Sequence, residues 1–284
     1  MVINKIIRVF PRRTNMTPDD EYSFVGIPPF TQFIPKHNAV HISVVFTWDK
    51  LYAEQLQKNW QEITDKPVLI GGTAYDDPGL EFIPGMYVKP GITITSRGCP
   101  NNCDFCLVPK REGKIRELPI QRGNIIQDNN ILACSDVHID KVFEMLKHEK
   151  GICFKGGLEA RRVTTKIADK LAGLKIKELW LACDKPEHLK VTIKAIHTLR
   201  KAGFSQNHIR CYVLIGFDRE EENYRLEELY RSGCLPFAQL YRKDDDSVVY
   251  TDDWKRFARV WSRPAIYKAV MKGKGIENLI RSMR

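Results

Sequence analysis

The segment ITSRGCPNNCDFCLVP, Ile94 to Pro109, places Cys99, Cys103 and Cys106 on one short stretch. Their spacing is Cys-x3-Cys-x2-Cys, with the aromatic Phe105 just before the last thiol. An apolar run, Gly91–Thr95, leads in, and Gly98-Cys99-Pro100 breaks it as a turn. Three thiolates on a tight loop can hold three corners of a metal site. They are the soft ligands that iron–sulfur clusters and zinc select. A closed structural site takes four ligands, whereas three leave one metal position open to a substrate. Two other readings stand beside this one: a zinc knuckle completed by Cys134 or His138, and ordinary core thiols.

The chain around this stretch has 284 residues, 43% hydrophobic and 28% charged, values of a globular protein with one large or two modest domains. No apolar run approaches membrane-spanning length. The opening MVINKIIRVFPRR is too short in its apolar part, and too basic after it, for a signal peptide. Eight cysteines without a secretory signal point to a reducing compartment, so the expected location is cytoplasmic. The net charge is +10. Trp254–Arg284 holds nine Lys or Arg against Glu277 alone, a net +8, so the basic character belongs to the C-terminal tail.

Before the cysteines, Lys5–Phe10 and Val40–Thr47 read as strands, and Pro11–Pro35 as an irregular loop. Lys50–Ile63 fits an amphipathic helix with Leu51, Tyr52, Leu56, Trp60 and Ile63 as its apolar positions. Pro67–Gly72 is a further buried strand, so this part is a strand–helix–strand unit with a parallel sheet. Asp76-Asp77-Pro78-Gly79 is a turn and the start of a linker. From Gly91 onward strands alternate with helices. The expected strands are Gly91–Ser96, a second beginning within Asn124–Leu132, Gly151–Gly156, Lys177–Cys183, His208–Phe217 and Leu235–Tyr241. The expected helices are Ile139–His148, Thr164–Leu174, Glu187–Ala202 and Arg219–Arg231. Six strands in this alternation predict a parallel, barrel-like sheet, with ligands at the C-terminal strand ends.

Each strand end offers polar residues or glycine: Asp128-Asn129-Asn130, Gly156-Gly157-Leu158-Glu159-Ala160-Arg161, Asp184, and Ile215-Gly216-Phe217-Asp218. A structural reading exists for each. Asp128 opens an Asx turn, Arg161 is a surface arginine, and Asp184 caps the following helix. The other five cysteines, Cys134, Cys153, Cys183, Cys211 and Cys234, are scattered, which argues against a second cluster. In the tail, Trp254, Phe257, Ala258 and Trp261 form a helical stripe with Lys255, Arg256, Arg259 and Arg263 off it. That pattern suits a helix packed on the body of the protein. The cationic face also suits a nucleic acid or nucleotide partner.

The cysteine spacing, with Arg97-Gly98 before it and Phe105 inside it, resembles the radical S-adenosylmethionine superfamily. The resemblance implies an α/β fold: a partial (β/α)6 TIM-like barrel over 89–250, a small α/β domain over 1–88 and a basic helical extension over 251–284. It implies that Cys99, Cys103 and Cys106 hold a [4Fe–4S] cluster whose fourth iron takes the amino and carboxylate groups of S-adenosylmethionine. It further implies cofactor contacts from Phe105, Asp128, Asn129, Asn130, Glu159, Arg161, Asp184, Ile215, Gly216 and Phe217. Asp128 and its neighbours would hold the methionine ammonium, Arg161 the methionine carboxylate, Asp184 the ribose hydroxyls, and Ile215–Phe217 with Phe105 the adenine. A reductant such as flavodoxin or ferredoxin is implied as partner, and no membrane. Val68–Thr73 (VLIGGT) is similar to the cobalamin-binding domains that precede some of these enzymes. Their Asp-x-His-x-x-Gly motif is missing, so cobalamin is not expected. The two competing functions are a zinc-binding nucleic-acid module and a cobalamin-dependent radical methyltransferase.

Overall fold

In the computed structural model, residues 5–77, 79, 81–243 and 247–273 are described. Pro78 of the expected turn, and the tail cations from Lys274 onward, lie outside them. The protein is α/β, with parallel strands and eight α-helices among the described residues. It divides into two compact units, one running to Asn129, the other from Asn130 to Lys243 and from Ser247 onward. The division therefore falls inside the stretch expected as a barrel. No closed barrel forms among the described residues.

In the first unit, β1 (Ile6–Phe10), β2 (Ser23–Val25), β3 (Ala39–Ser43) and β4 (Val68–Gly71) make a parallel sheet. Its order is β2-β1-β3-β4, with helix α1 (Lys50–Gln61) connecting the last two strands. β2 corrects the expectation of a wholly irregular Pro11–Pro35: three residues suffice to pair with Arg8–Phe10 at the sheet edge. The core joins Ile7, Val9, Val40, Ile42 and Val44 to Ala53, Leu56 and Trp60 of α1. That face also corrects the expected stripe. Leu51 is 83% exposed, because it lies about 200° of helix rotation from Ala53. Arg8, in the middle of β1, is buried, donates to the Gly85 and Met86 carbonyls at 3.0 and 3.1 Å, and pairs with Asp20.

The strand expected at Gly91–Ser96 is divided. β5 (Ile92–Thr93) pairs in parallel with β8 (Ile125–Ile126). The chain then turns, and β6 (Ser96–Arg97) pairs antiparallel with β7 (Arg116–Glu117). The cysteine loop and the short helix α2 (Val108–Arg111) lie between those two strands in the chain.

The second unit begins with α3 (Asp136–Leu146), whose N-cap Ser135 accepts from the His138 amide. It continues through β9 (Ile152–Phe154), α4 (Thr165–Ala172), β10 (Ile176–Ala182), α5 (Leu189–Lys201), β11 (Ile209–Ile215), α6 (Arg219–Arg231) and β12 (Leu235–Leu240). The strands β9 to β12 lie side by side in chain order, all parallel, as successive β–α–β crossovers require. In β11 the odd residues Ile209, Cys211, Val213 and Ile215 are fully buried, while Arg210, Tyr212 and Leu214 are partly exposed on the other face. That second face carries Trp180, Tyr212 and Phe237 ring against ring, with the Lys155 ammonium 4.6 Å from the Trp180 centroid.

Two tail helices follow, α7 (Asp252–Trp261) and α8 (Pro264–Gly273). Phe257 and Trp261 of the expected stripe are buried, joined by Val260. Lys255 pairs with Asp252 and Arg256 with Asp253, so acids in the first turn of α7 offset part of its cationic face. No helix among the described residues is long and apolar enough to cross a membrane.

Candidate functional site

The cysteine loop follows β6, and the arm that leads into it from β5 is held by side chains just past the end of β8. Asp128 lies two residues past β8 and is 1% exposed. One carboxylate oxygen accepts from the Thr95 amide at 2.7 Å. The other accepts from the Thr95 hydroxyl at 2.6 Å and the Ser96 hydroxyl at 2.7 Å. These are charge-assisted bonds, made where water does not compete. Asn129 adds a fourth bond, its Oδ1 accepting from the Gly98 amide at 3.0 Å. The structure thus gives Asp128 and Asn129 partners within the protein, where the sequence suggested the ammonium of a ligand. The reason is that a carboxylate at one strand exit meets two hydroxyls at the neighbouring exit.

Gly98 is required here. Its φ is +81°, and an added Cβ would collide with the backbone carbonyls of Gly113 and Lys114. The Cys99 amide donates to the Gly113 carbonyl at 3.1 Å, so the first cysteine of the loop is fixed to the start of the returning arm. Arg97 and the buried Glu112 pair across the same arms at 3.3 Å. Farther along, the Cys106 amide closes a turn on the Cys103 carbonyl at 3.0 Å. Cys99, Cys103, Phe105 and Cys106 are all partly exposed.

Four of the buried thiols share one chemistry. Burial pushes Cys183 up to about 12, and raises Cys211 and Cys234 well above the ordinary thiol value. Desolvation raises Cys153 as well. Thiols so buried stay protonated at neutral pH and are poor metal ligands. The three loop cysteines, partly exposed on one turn-rich loop, are the donor set of suitable chemistry for an iron–sulfur cluster. Among the described residues no three His, Cys, Asp or Glu side chains are already gathered as a metal site. Cys134 and His138, the other candidates for a zinc site, are buried at the start of α3.

The remaining candidates belong to the second unit. Asn130 donates from Nδ2 to Glu159 at 2.8 Å. Glu159 also pairs with Arg161 at 2.7 Å and Arg162 at 2.8 Å. Arg161 is well exposed and has further N–H groups beyond the one given to Glu159. Asp184 does not cap a helix, since the next helical turn is capped by Lys185 without a side-chain bond. It accepts instead from the Leu214 amide at 3.2 Å, tying the end of β10 to β11. Burial raises its pKa, and the Leu214 bond partly offsets that.

At the end of β11 the polar backbone turns inward. The Ile215 carbonyl accepts from the Tyr241 amide at 2.9 Å. The Gly216, Phe217 and Asp218 amides converge on the buried carboxylate of Glu222 at 2.9–3.3 Å. Gly216 has φ +123°, and an added Cβ would strike the Tyr250 ring. Phe217 is exposed and lies 5.3 Å from Tyr241, centroid to centroid. Sequence reading missed Glu222 and Arg225. The buried Arg225 guanidinium donates to the Cys183 and Leu214 carbonyls at 2.8 and 3.2 Å, bracing the C-terminal ends of β10 and β11. Their signal was present: a glutamate four residues and an arginine seven residues after the helix cap Asp218 share one helix face.

The two histidines near the expected cobalamin-like segment have partners within the first unit. His37 bonds to the Pro35 carbonyl and the Thr64 hydroxyl, and His41 to the Tyr87 hydroxyl at 2.6 Å. No protein-family model matches the chain, and no curated protein matches it.

Proposed function

We propose that the chain is a radical S-adenosylmethionine enzyme with one [4Fe–4S] cluster held by Cys99, Cys103 and Cys106. The observation that carries this reading is the three-thiol loop that the chain reaches from β5 through β6, its first arm held by Asp128 and Asn129 just past β8. Strands β5 and β8 of the first unit and β9 to β12 of the second are, in chain order, the six that a partial (β/α)6 barrel would use, and polar residues or glycine follow each of β8 to β11, the position at which such folds bind ligands. A bound cluster would supply the single electron for reductive cleavage of S-adenosylmethionine, and with it a radical able to take a hydrogen atom from the substrate. The chain's own part is to hold and orient. Asp128 and Asn129 fix the cysteine arm. Arg161 offers N–H donors to a carboxylate, and Asp184 a carboxylate to paired hydroxyls. Phe217 and Tyr241 offer exposed and half-buried ring faces to a planar base. The donor protein is a reduced flavodoxin or ferredoxin, and the setting is the cytoplasm.

The test is anaerobic reconstitution with iron and sulfide, then reduction in the presence of S-adenosylmethionine. The expected result is about four irons per chain and release of 5′-deoxyadenosine, both lost in Cys103→Ala. Tightly held zinc with no deoxyadenosine would replace this reading by the zinc module.

A further inference from the structure

We propose that Asp128 and Asn129 are positioning residues that preset the first ligand arm, Thr95 to Cys99, before any metal arrives. The proposal rests on the cluster reading of the three thiols, and assigns to these residues a task other than gripping the amino acid of a ligand.

Four bonds from two adjacent side chains reach three residues of the arm: Thr95, Ser96 and Gly98. Thr95 and Ser96 are fully buried, so the three bonds to Asp128 are not exchanged with water. The arm is fixed from its other side as well. Cys99 donates to the Gly113 carbonyl, and the β6–β7 register sets Ser96 opposite Glu117 and Arg97 opposite Arg116. Gly98 passes so close to the Gly113 and Lys114 carbonyls that no side chain fits. Asp128 is 1% exposed, and both its oxygens already accept bonds from the arm. Asn129 Oδ1 accepts from the Gly98 amide. A ligand arm ordered in advance leaves less chain to be ordered when metal binds, which raises metal affinity. In this arrangement Cys99 is the fixed first corner.

The experiment uses the full-length chain, metal-free and iron-loaded, as wild type and as Asp128→Asn, Asn129→Ala and Ser96→Ala. In the metal-free chain, iodoacetamide labelling followed by peptide mass spectrometry gives a separate rate for each thiol. The expected result is a rise in the Cys99 rate of roughly tenfold in Asp128→Asn, with smaller rises in the other two variants. The buried Cys153 should stay unlabelled in all of them. In the loaded chain, iron retained during dialysis against a chelator should fall in the same order of variants. Unchanged Cys99 rates and iron retention across the three variants would overturn the proposal. So would a change confined to the affinity for S-adenosylmethionine, which would return Asp128 to the ligand's ammonium. If Asp128→Asn does not fold, Asn129→Ala and Ser96→Ala, which each delete one bond, decide the matter. If the wild-type chain takes up no iron, the cluster reading falls, and the Cys99 rates still decide whether the arm is preset.

Discussion

Replacing Glu222 by leucine tests whether the turn after β11 is held from within. The carboxylate is 1% exposed, and its Oε1 accepts from Gly216 at 3.0 Å, Phe217 at 2.9 Å and Asp218 at 3.3 Å. Its Oε2 accepts a second time from Gly216, also at 3.0 Å. Hydrogen bonds to a charged group are worth about 1.5–3 kcal/mol each. Only two amides, Gly216 and Phe217, lie at good distance, so their loss amounts to roughly 3–6 kcal/mol. The buried leucine restores about 2 kcal/mol of apolar burial. A net loss of about 1–4 kcal/mol is therefore expected for Glu222→Leu, up to a large part of a typical domain's stability. Glu222→Gln keeps an acceptor for the Phe217 and Asp218 amides and gives up the charge, so about 1 kcal/mol is expected. Urea unfolding measures both, read as a shift in midpoint at constant slope. A glutamine variant as damaged as the leucine variant, or a leucine variant indistinguishable from wild type, would refute the reasoning.

Asp184 gives a pH-dependent prediction. Burial raises its pKa above the ordinary carboxylate value, so the folded state holds the proton more tightly than the unfolded chain does. Its contribution to stability is therefore full below the ordinary value of about 3.9 and is lost as pH rises through the raised one. Asp184→Asn, which still offers an oxygen to the Leu214 amide, should be more stable than wild type at neutral pH, with the gain vanishing in acid. Urea midpoints of both proteins across pH would show a constant difference if this is wrong. On α1, Leu56→Ala should cost about 2–5 kcal/mol, as a deletion in a closed core does, while Leu51→Ala should be nearly silent. Equal effects in thermal unfolding would return Leu51 to the buried face.

Much of the second unit was readable because its signals are local. The helix expected over Arg219–Arg231 has those bounds, since Asp218 caps it through the Glu220 and Glu221 amides within the same turn. The strands ending in Ala182 and Ile215 are short runs rich in apolar residues, followed within two residues by Asp184 and by Gly216. The strand expected over Gly91–Ser96 failed for the opposite reason. Its last residue, Ser96, pairs with Glu117, and Arg97 just beyond it with Arg116, and nothing within a few residues of Ser96 announces those partners. The face of α1 was misjudged at Leu51 and Tyr52 because an apolar residue marks a candidate face, and the sheet decides which one is covered.

The candidate site divides along the same line. Cysteine spacing is local chemistry, so three residues of eight mark the loop without knowledge of the fold. What holds the loop is not local: Asp128 and Thr95 are 33 residues apart. A carboxylate just past a strand has two ways to satisfy its oxygens, a ligand or the neighbouring strand's exit. At Asp128 the neighbouring exit carries Thr95 and Ser96, two hydroxyls with an amide beside them, and both oxygens are engaged there. At Asp184 the neighbouring exit carries the apolar Leu214, which supplies one amide and no side-chain donor. The same reasoning that turns Asp128 inward leaves Asp184 with acceptor capacity for paired hydroxyls. Hydroxyl-bearing residues at adjacent strand exits are therefore the feature that separates a carboxylate fixing its own fold from one able to meet a ligand.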